Sequence, residues 1–104
     1  MTVPGDVFAA IASPVRRALL DALRSGPLPV HQLADEFEIS RPAVSQHLQV
    51  LRHADLVVEE RAGRERRYRL RPQRLQEVTD WVGHYEQFWG KRLTALRDLL
   101  DDQP

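Results

Sequence analysis

Apolar positions along this chain change their period twice, and the changes divide it into helical, β and again helical stretches. Val7, Phe8, Ala9, Ala10, Ile11 and Ala12 form a short apolar run that Asp6 can cap and Ser13-Pro14 closes, which predicts a first short helix. Ser13 and Pro14 equally suit the start of the next helix, where Val15, Ala18, Leu19, Ala22 and Leu23 recur on one face until Ser25-Gly26-Pro27. Pro27 and Pro29 then predict a stiff connector. Val30, Leu33, Ala34 and Phe37 stand at i, i+3, i+4 and i+7, one apolar stripe of a third helix. After the joint Glu38-Ile39, Ser40 caps a fourth helix that runs to about Ala54, with Pro42 in its first turn and Val44, Leu48 and Leu51 on its buried face.

From Leu56 the pattern turns to near alternation over 56–61 and 66–70, around the turn Ala62-Gly63-Arg64, which reads as a β-hairpin that Pro72 ends. The spacing from about Gln73 to Leu100 predicts one unbroken helix, whose 28 residues would span about 42 Å. It carries two apolar rows: Leu75, Val78, Val82, Tyr85, Trp89, Leu93, Leu96 and Leu100 in steps of three and four, beside Trp81, Tyr85, Phe88 and Arg92. A helix apolar around so much of its girth needs two partners, its own domain and, most simply, a second copy of itself. Gly83 and Gly90 sit seven apart within it, each costing about 1 kcal/mol against alanine in a helix interior.

Length and composition narrow the reading. With 104 residues, 42% apolar, the chain forms one soluble domain, too short for a two-domain enzyme. It has no cysteine, which excludes a disulfide frame, a thiolate nucleophile and a thiolate metal site. The longest apolar run is six residues, far below the roughly 20 needed to span a bilayer, and no basic-then-apolar leader opens the chain, so a cytoplasmic protein without membrane contact is expected. No spacing assembles a nucleophile, a base and an orienting group, and the five glycines lie singly, so neither catalysis nor a phosphate loop is indicated.

The net charge of zero conceals a segregation. Residues 1–40 hold three arginines and five acids (−2), 41–74 hold nine arginines and four acids (+5), and 75–104 hold three bases and six acids (−3). Phosphates respond to charges within about 8–10 Å, so a basic middle between acidic flanks is a local footprint for a polyanion.

Two short helices joined by a tight turn, the second polar opposite its apolar stripe, form a helix-turn-helix. At this point the residues resemble a known family. Residues 8–23, then Pro29-Val30-His31-Gln32-Leu33-Ala34, Ile39-Ser40-Arg41-Pro42-Ala43-Val44-Ser45-Gln46-His47-Leu48-Gln49-Val50-Leu51, Leu56-Val57 and the arginine hairpin ending at Tyr68-Arg69-Leu70 resemble the ArsR/SmtB family of dimeric winged-helix bacterial repressors. The last helix, with Trp81, Tyr85, Phe88-Trp89 and Arg92-Leu93, is similar to a branch that often includes autorepressors.

The resemblance implies a mainly α fold with a β-hairpin wing, a winged helix-turn-helix that dimerises through its first and last helices. Residues 6–72 would be helix-turn-helix plus wing and 73–102 the C-terminal dimerisation helix of one domain over 1–104. It implies a transcriptional repressor that binds double-stranded DNA as a homodimer on a pseudo-palindromic operator. A helix in the major groove reads base edges, so Ser40, Arg41, Pro42, Ser45, Gln46 and Gln49 are candidate readers. Gln46 and Gln49 suit adenine, Arg41 suits guanine or phosphate, and Pro42 suits a thymine methyl, with His47 at the rim. Arg61, Arg64, Arg66 and Arg67 of the wing would follow the backbone, Arg64 entering the minor groove; strand alternation lets only about half of the hairpin arginines face DNA together. Phe8, Val82, Tyr85, Trp89, Leu93 and Leu96 would form the dimer interface.

The sequence departs from the family pattern at Glu38 and Asp55, where glycine is usual. The cysteine pairs and the Asp-x-His ligand sets of the family's metal sensors are missing too, so no metal and no cofactor are expected. Three alternatives stay open: a winged helix that binds protein through its aromatic last helix, a metal site built from Asp80 and His84 of two subunits, and a small apolar effector lodged among Trp81, Tyr85, Phe88 and Trp89.

Overall fold

Three of the four helices of the N-terminal half begin where a side chain satisfies a free N–H group, and the third starts behind Pro29 without such a cap. In the computed structural model, which describes residues 6–88 and 98–100, α1 spans Val7–Ile11 with the Asp6 carboxylate accepting from the Phe8 N–H at 2.9 Å. α2 spans Pro14–Ala22 with Ser13 Oγ accepting from Arg16 at 3.3 Å, and a 3-10 turn, Leu23–Ser25, closes it before Gly26. α3 spans Val30–Phe37 and α4 Arg41–His53, the latter capped by Ser40 Oγ on the Ala43 N–H at 3.2 Å. Glu38 joins them in the left-handed conformation, φ 53°, where glycine is the easier choice.

The end of α4 is closed with equal definition. Asp55 is left-handed too, φ 58°; its N–H bonds the Arg52 carbonyl and the Leu56 N–H bonds the Leu51 carbonyl, both at 3.0 Å. These are the paired bonds of a Schellman closure, and the apolar contact that accompanies it is formed by Leu51 and Leu56, both fully buried.

The hairpin consists of β2, Val57–Ala62, and β3, Glu65–Leu70, turning through Gly63 at φ 67°. The sheet has a third member. The connector expected at Pro27–Pro29 includes a two-residue strand, β1, Leu28–Pro29, which pairs antiparallel with β3 through Leu28 opposite Tyr68 and Pro29 opposite Arg67. Proline is tolerated there because β1 is an edge strand, where a missing N–H leaves no gap in a ladder.

One core unites these parts. Val7 and Ala10 of α1, Leu19, Leu20 and Leu23, Leu33 and Ala34, Val44, Leu48 and Leu51, and Leu56 and Val57 close around Tyr68, the largest fully buried side chain among the described residues. Arg16 binds α1 to this body: its Nε donates to the Ala10 carbonyl at 2.6 Å and its Nη2 at 3.1 Å to the Ala9 carbonyl, which also accepts the Ala12 N–H at 3.3 Å.

The single long helix expected from Gln73 is not continuous. A 3-10 turn, Pro72–Leu75, leads into α5, Gln76–Gly83, and beyond it the bonds tighten to i−3, His84 to Trp81 at 3.1 Å and Tyr85 to Val82 at 2.9 Å, before another 3-10 turn at Glu86–Phe88. The break falls at Gly83, where backbone freedom is greatest and no side chain supports the helix. Among the described residues, nothing beyond its chain neighbours and its own helix's backbone lies within 4 Å of where a Gly83 Cβ would be, so the glycine allows no close packing against another described element. Trp89, Gly90, Leu93 and Leu96 lie outside the described residues. No helix among the described residues is long and apolar enough to cross a membrane.

Candidate nucleic-acid interface

The polar face of α4 is divided by what its side chains touch. Arg41, Pro42 and Gln46 are exposed and Ser45 is half-buried. Ser40 is exposed, its oxygen already accepting the Ala43 N–H, which leaves its hydroxyl proton to donate. His47 and Gln49 turn toward the protein. The Arg16 Nη1 lies 3.4 Å from His47 Nδ1, which draws the imidazole toward α2. The Gln49 amide donates to the Tyr68 hydroxyl at 3.4 Å. Sequence reasoning missed Arg16, although free carbonyls at the end of so short a helix demand a donor nearby.

Cross-strand register sorts the wing. Glu59 lies opposite Tyr68 and Arg61 opposite Arg66, so Arg61 and Arg66 share the face on which Tyr68 meets α4, while Arg67 and Arg69 alternate to the other face. On that far face Arg67 pairs with Glu65 at 3.1 Å and Arg69 with Glu60 at 2.6 Å. On the near face Arg66 approaches Glu59 at 3.6 Å, and Glu59 also receives Arg52 of α4 at 3.2 Å and the Tyr68 hydroxyl at 3.3 Å. Burial, then the Glu59 charge, raises the pKa of Tyr68 above its usual 10.0. Among the described residues Arg41, Arg61 and Arg64 form no ion pair. Two arginines directly opposite each other repel, which costs stability unless an anion lies close.

An open cleft of about 500 Å³ separates the start of α4 from the wing, lined by Val30, His31, Arg41, Ser45, Arg64, Glu65 and Arg66. It brings together four of the sequence-predicted residues, Arg41, Ser45, Arg64 and Arg66, and adds His31 of α3, which no spacing in the sequence had singled out. Gln46 and Pro42 stand beside it on the same helix, while Arg67 lies across the sheet.

A second surface is apolar. Phe8 of α1 stacks edge-on to Trp81 at 5.7 Å, Trp81 to Tyr85 at 5.4 Å, and Tyr85 lies 6.3 Å from Phe88. Yet Trp81 remains 51% and Phe88 73% exposed, and Val82 is half-buried. Asp80 accepts from Gln76 at 3.0 Å, and the described residues bring no third potential ligand to it and His84.

Known proteins share this arrangement. The family model described as "Bacterial regulatory protein, arsR family" matches residues 13–58, from the cap of α2 to the start of the wing. The HTH-type transcriptional regulator Rv2034 of Mycobacterium tuberculosis is 42% identical over 101 residues, 96% of this chain and 91% of that protein. The chain belongs to the ArsR family. Another relative, the transcriptional repressor SdpR of Bacillus subtilis, is 36% identical over 77 residues, 74% of this chain and 86% of its own. Among solved structures, a possible transcriptional regulator for arsenical resistance matches with a TM-score of 0.68 and 37% identity, covering 99% of this chain and 100% of that one. An ArsR-like transcriptional regulator from Rhodococcus sp. RHA1 matches with a TM-score of 0.72 and 28% identity, covering 94% and 90%. The ArsR match is therefore to a DNA-binding regulator with a winged helix, α3 and α4 being its helix-turn-helix and β2–β3 its wing.

Proposed function

We propose that this chain is a homodimeric transcriptional repressor that binds a pseudo-palindromic operator, with α4 in the major groove and the wing on the flanking backbone. The observation that carries it is the cleft in which Arg41 and Ser45 of α4 face Arg64 and Arg66 of the wing, beside exposed Gln46. In this reading Arg41, Ser45 and Gln46 read bases, with Ser40 and Pro42 beside them. Arg61 and Arg64 hold phosphates, Arg66 lines the same cleft while held toward Glu59, and Arg67 acts at longer range from the far face. His47 and Gln49 support the helix more than they read the groove. Residues 6–72 form the DNA-binding body, and α5 with the residues that follow it dimerises one domain over 1–104.

The exposed row Phe8, Trp81, Tyr85 and Phe88 supports dimerisation, since an apolar patch of this kind seeks cover. Repression in the cytoplasm without a metal, an enzymatic step or a cofactor follows from the same reading, and an apolar molecule entering the aromatic row would act by loosening the dimer.

Sequencing the fragments that purified protein selects from its own genome tests the proposal. Enrichment of an inverted repeat with half-sites about one helical turn apart is expected. Recovery of fragments without a shared motif would overturn it.

A further inference from the structure

We propose that Glu59 is a specificity-determining residue of the DNA interface: its single carboxylate restrains Arg52, Arg66 and, through the Tyr68 hydroxyl, Gln49, keeping them from sequence-independent phosphate contact and fixing the wing to the recognition helix. The proposal rests on the DNA-binding reading above.

The geometry is a hub. One Glu59 oxygen accepts from Arg52 Nη1 at 3.2 Å and from the Tyr68 hydroxyl at 3.3 Å, while the other lies 3.6 Å from Arg66 Nε. The Tyr68 hydroxyl has one proton, and since that proton goes to Glu59 its lone pairs are turned to Gln49, whose amide donates to them at 3.4 Å. The Tyr68 ring is fully buried, so the chain of bonds is anchored in the core rather than floating on the surface. α4, β2 and β3 thus meet at one carboxylate.

Its position among the acids makes Glu59 different. Glu60 and Glu65 neutralise Arg69 and Arg67 on the far face of the hairpin, and so leave the reading face unchanged. Glu59 shares the near face with Tyr68, Arg61 and Arg66, where one negative charge stands between two guanidinium groups. Removing it would free both guanidinium groups to seek phosphates and leave the Tyr68 hydroxyl proton without the acceptor that now turns its lone pairs to Gln49. Each added phosphate contact steepens the fall of log K with log salt by about 0.9 and raises affinity for any duplex.

Binding of the selected operator and of a random duplex, measured from low to moderate salt, tests this with Glu59→Ala and Glu59→Gln. Glu59→Ala is expected to bind the random duplex about tenfold tighter at low salt, with a slope steeper by about one to two, and to lose about tenfold in the operator-to-random ratio. Glu59→Gln keeps an acceptor for Tyr68 without the charge; its slope steepens, but the ratio stays within about threefold of the native protein. A second readout needs no DNA. In a Tyr85→Phe background, absorbance titration follows Tyr68 alone, and Glu59→Gln is expected to lower the pH at which it ionises. A native slope and ratio in Glu59→Ala, or an unmoved Tyr68 titration, overturns the proposal. Native protein that discriminates no duplex overturns the DNA reading itself, an outcome distinct from equal discrimination by native and Glu59→Ala proteins.

Discussion

Glu38 occupies a backbone well that costs an L-residue free energy and glycine almost none. Its side chain is exposed, so replacing it removes no packing. Glu38→Gly is therefore expected to stabilise the fold by about 0.5–1 kcal/mol, the left-handed cost of about 1–2 kcal/mol being partly offset by glycine's greater freedom when unfolded. Urea denaturation checks this; an unchanged or lower midpoint would show that the turn is not strained. Tyr68 sets a second residue-scale expectation. Because burial and the Glu59 charge raise its pKa above 10.0, the folded chain holds the phenolic proton more tightly than the unfolded one. Stability from this group is complete below the ordinary tyrosine range and is lost as pH rises through the raised value. The denaturation midpoint should fall above about pH 10 in the native protein and fall less in Tyr68→Phe, and equal pH dependence of the two would refute the assignment.

The elements show which parts of the site are written locally. Ser13 and Ser40 are caps that a four-residue window reveals, and Val44, Leu48 and Leu51 are buried at the helical spacing that predicts them. Leu48→Ala should cost about 2–5 kcal/mol in urea unfolding, with the spread set by how far the core collapses. Non-local facts were not legible. Leu28–Pro29 becomes a strand only because Tyr68 and Arg67 arrive beside it from 38 to 40 positions away. Gln49 looked like Gln46 in the sequence, and only the wing folding back withdraws it to Tyr68. The apolar rows continue through Gly83 and so predict an unbroken last helix, whereas the backbone there tightens to i−3 bonds. The reading face yields its own test: Gln46→Ala should cost about 1–3 kcal/mol on the operator and relax one base position, whereas Arg64→Ala should weaken all duplexes alike. If Gln46→Ala bound every operator variant as the native protein does, Gln46 would not be a reader.

At the scale of the whole molecule the two faces impose one geometry. α1, α5 and the turn after it display Phe8, Trp81 and Tyr85 in an edge-to-face row that is about half exposed, while the reading cleft with Arg41, Ser45, Arg64 and Arg66 lies between α4 and the wing. A two-fold axis through the aromatic row would cover it with a second copy and present two recognition helices to successive major-groove turns about 34 Å apart. Affinity for an inverted repeat then depends on the dimer, because each half-site alone offers only one helix and one wing. Replacing Phe8 and Tyr85 together by glutamate should halve the mass in light scattering to 12.0 kDa and abolish tight operator binding, while binding of an isolated half-site stays weak and unchanged. Zinc should alter neither property, since Asp80 and His84 find no third ligand among the described residues. Both tryptophans, Trp81 and Trp89, lie beyond the wing, so their fluorescence reports this region directly. Saturable quenching by zinc with matching loss of operator binding would replace the metal-independent dimer with a metal-bridged one, and a native mass of 12.0 kDa at micromolar concentration would remove the dimer altogether.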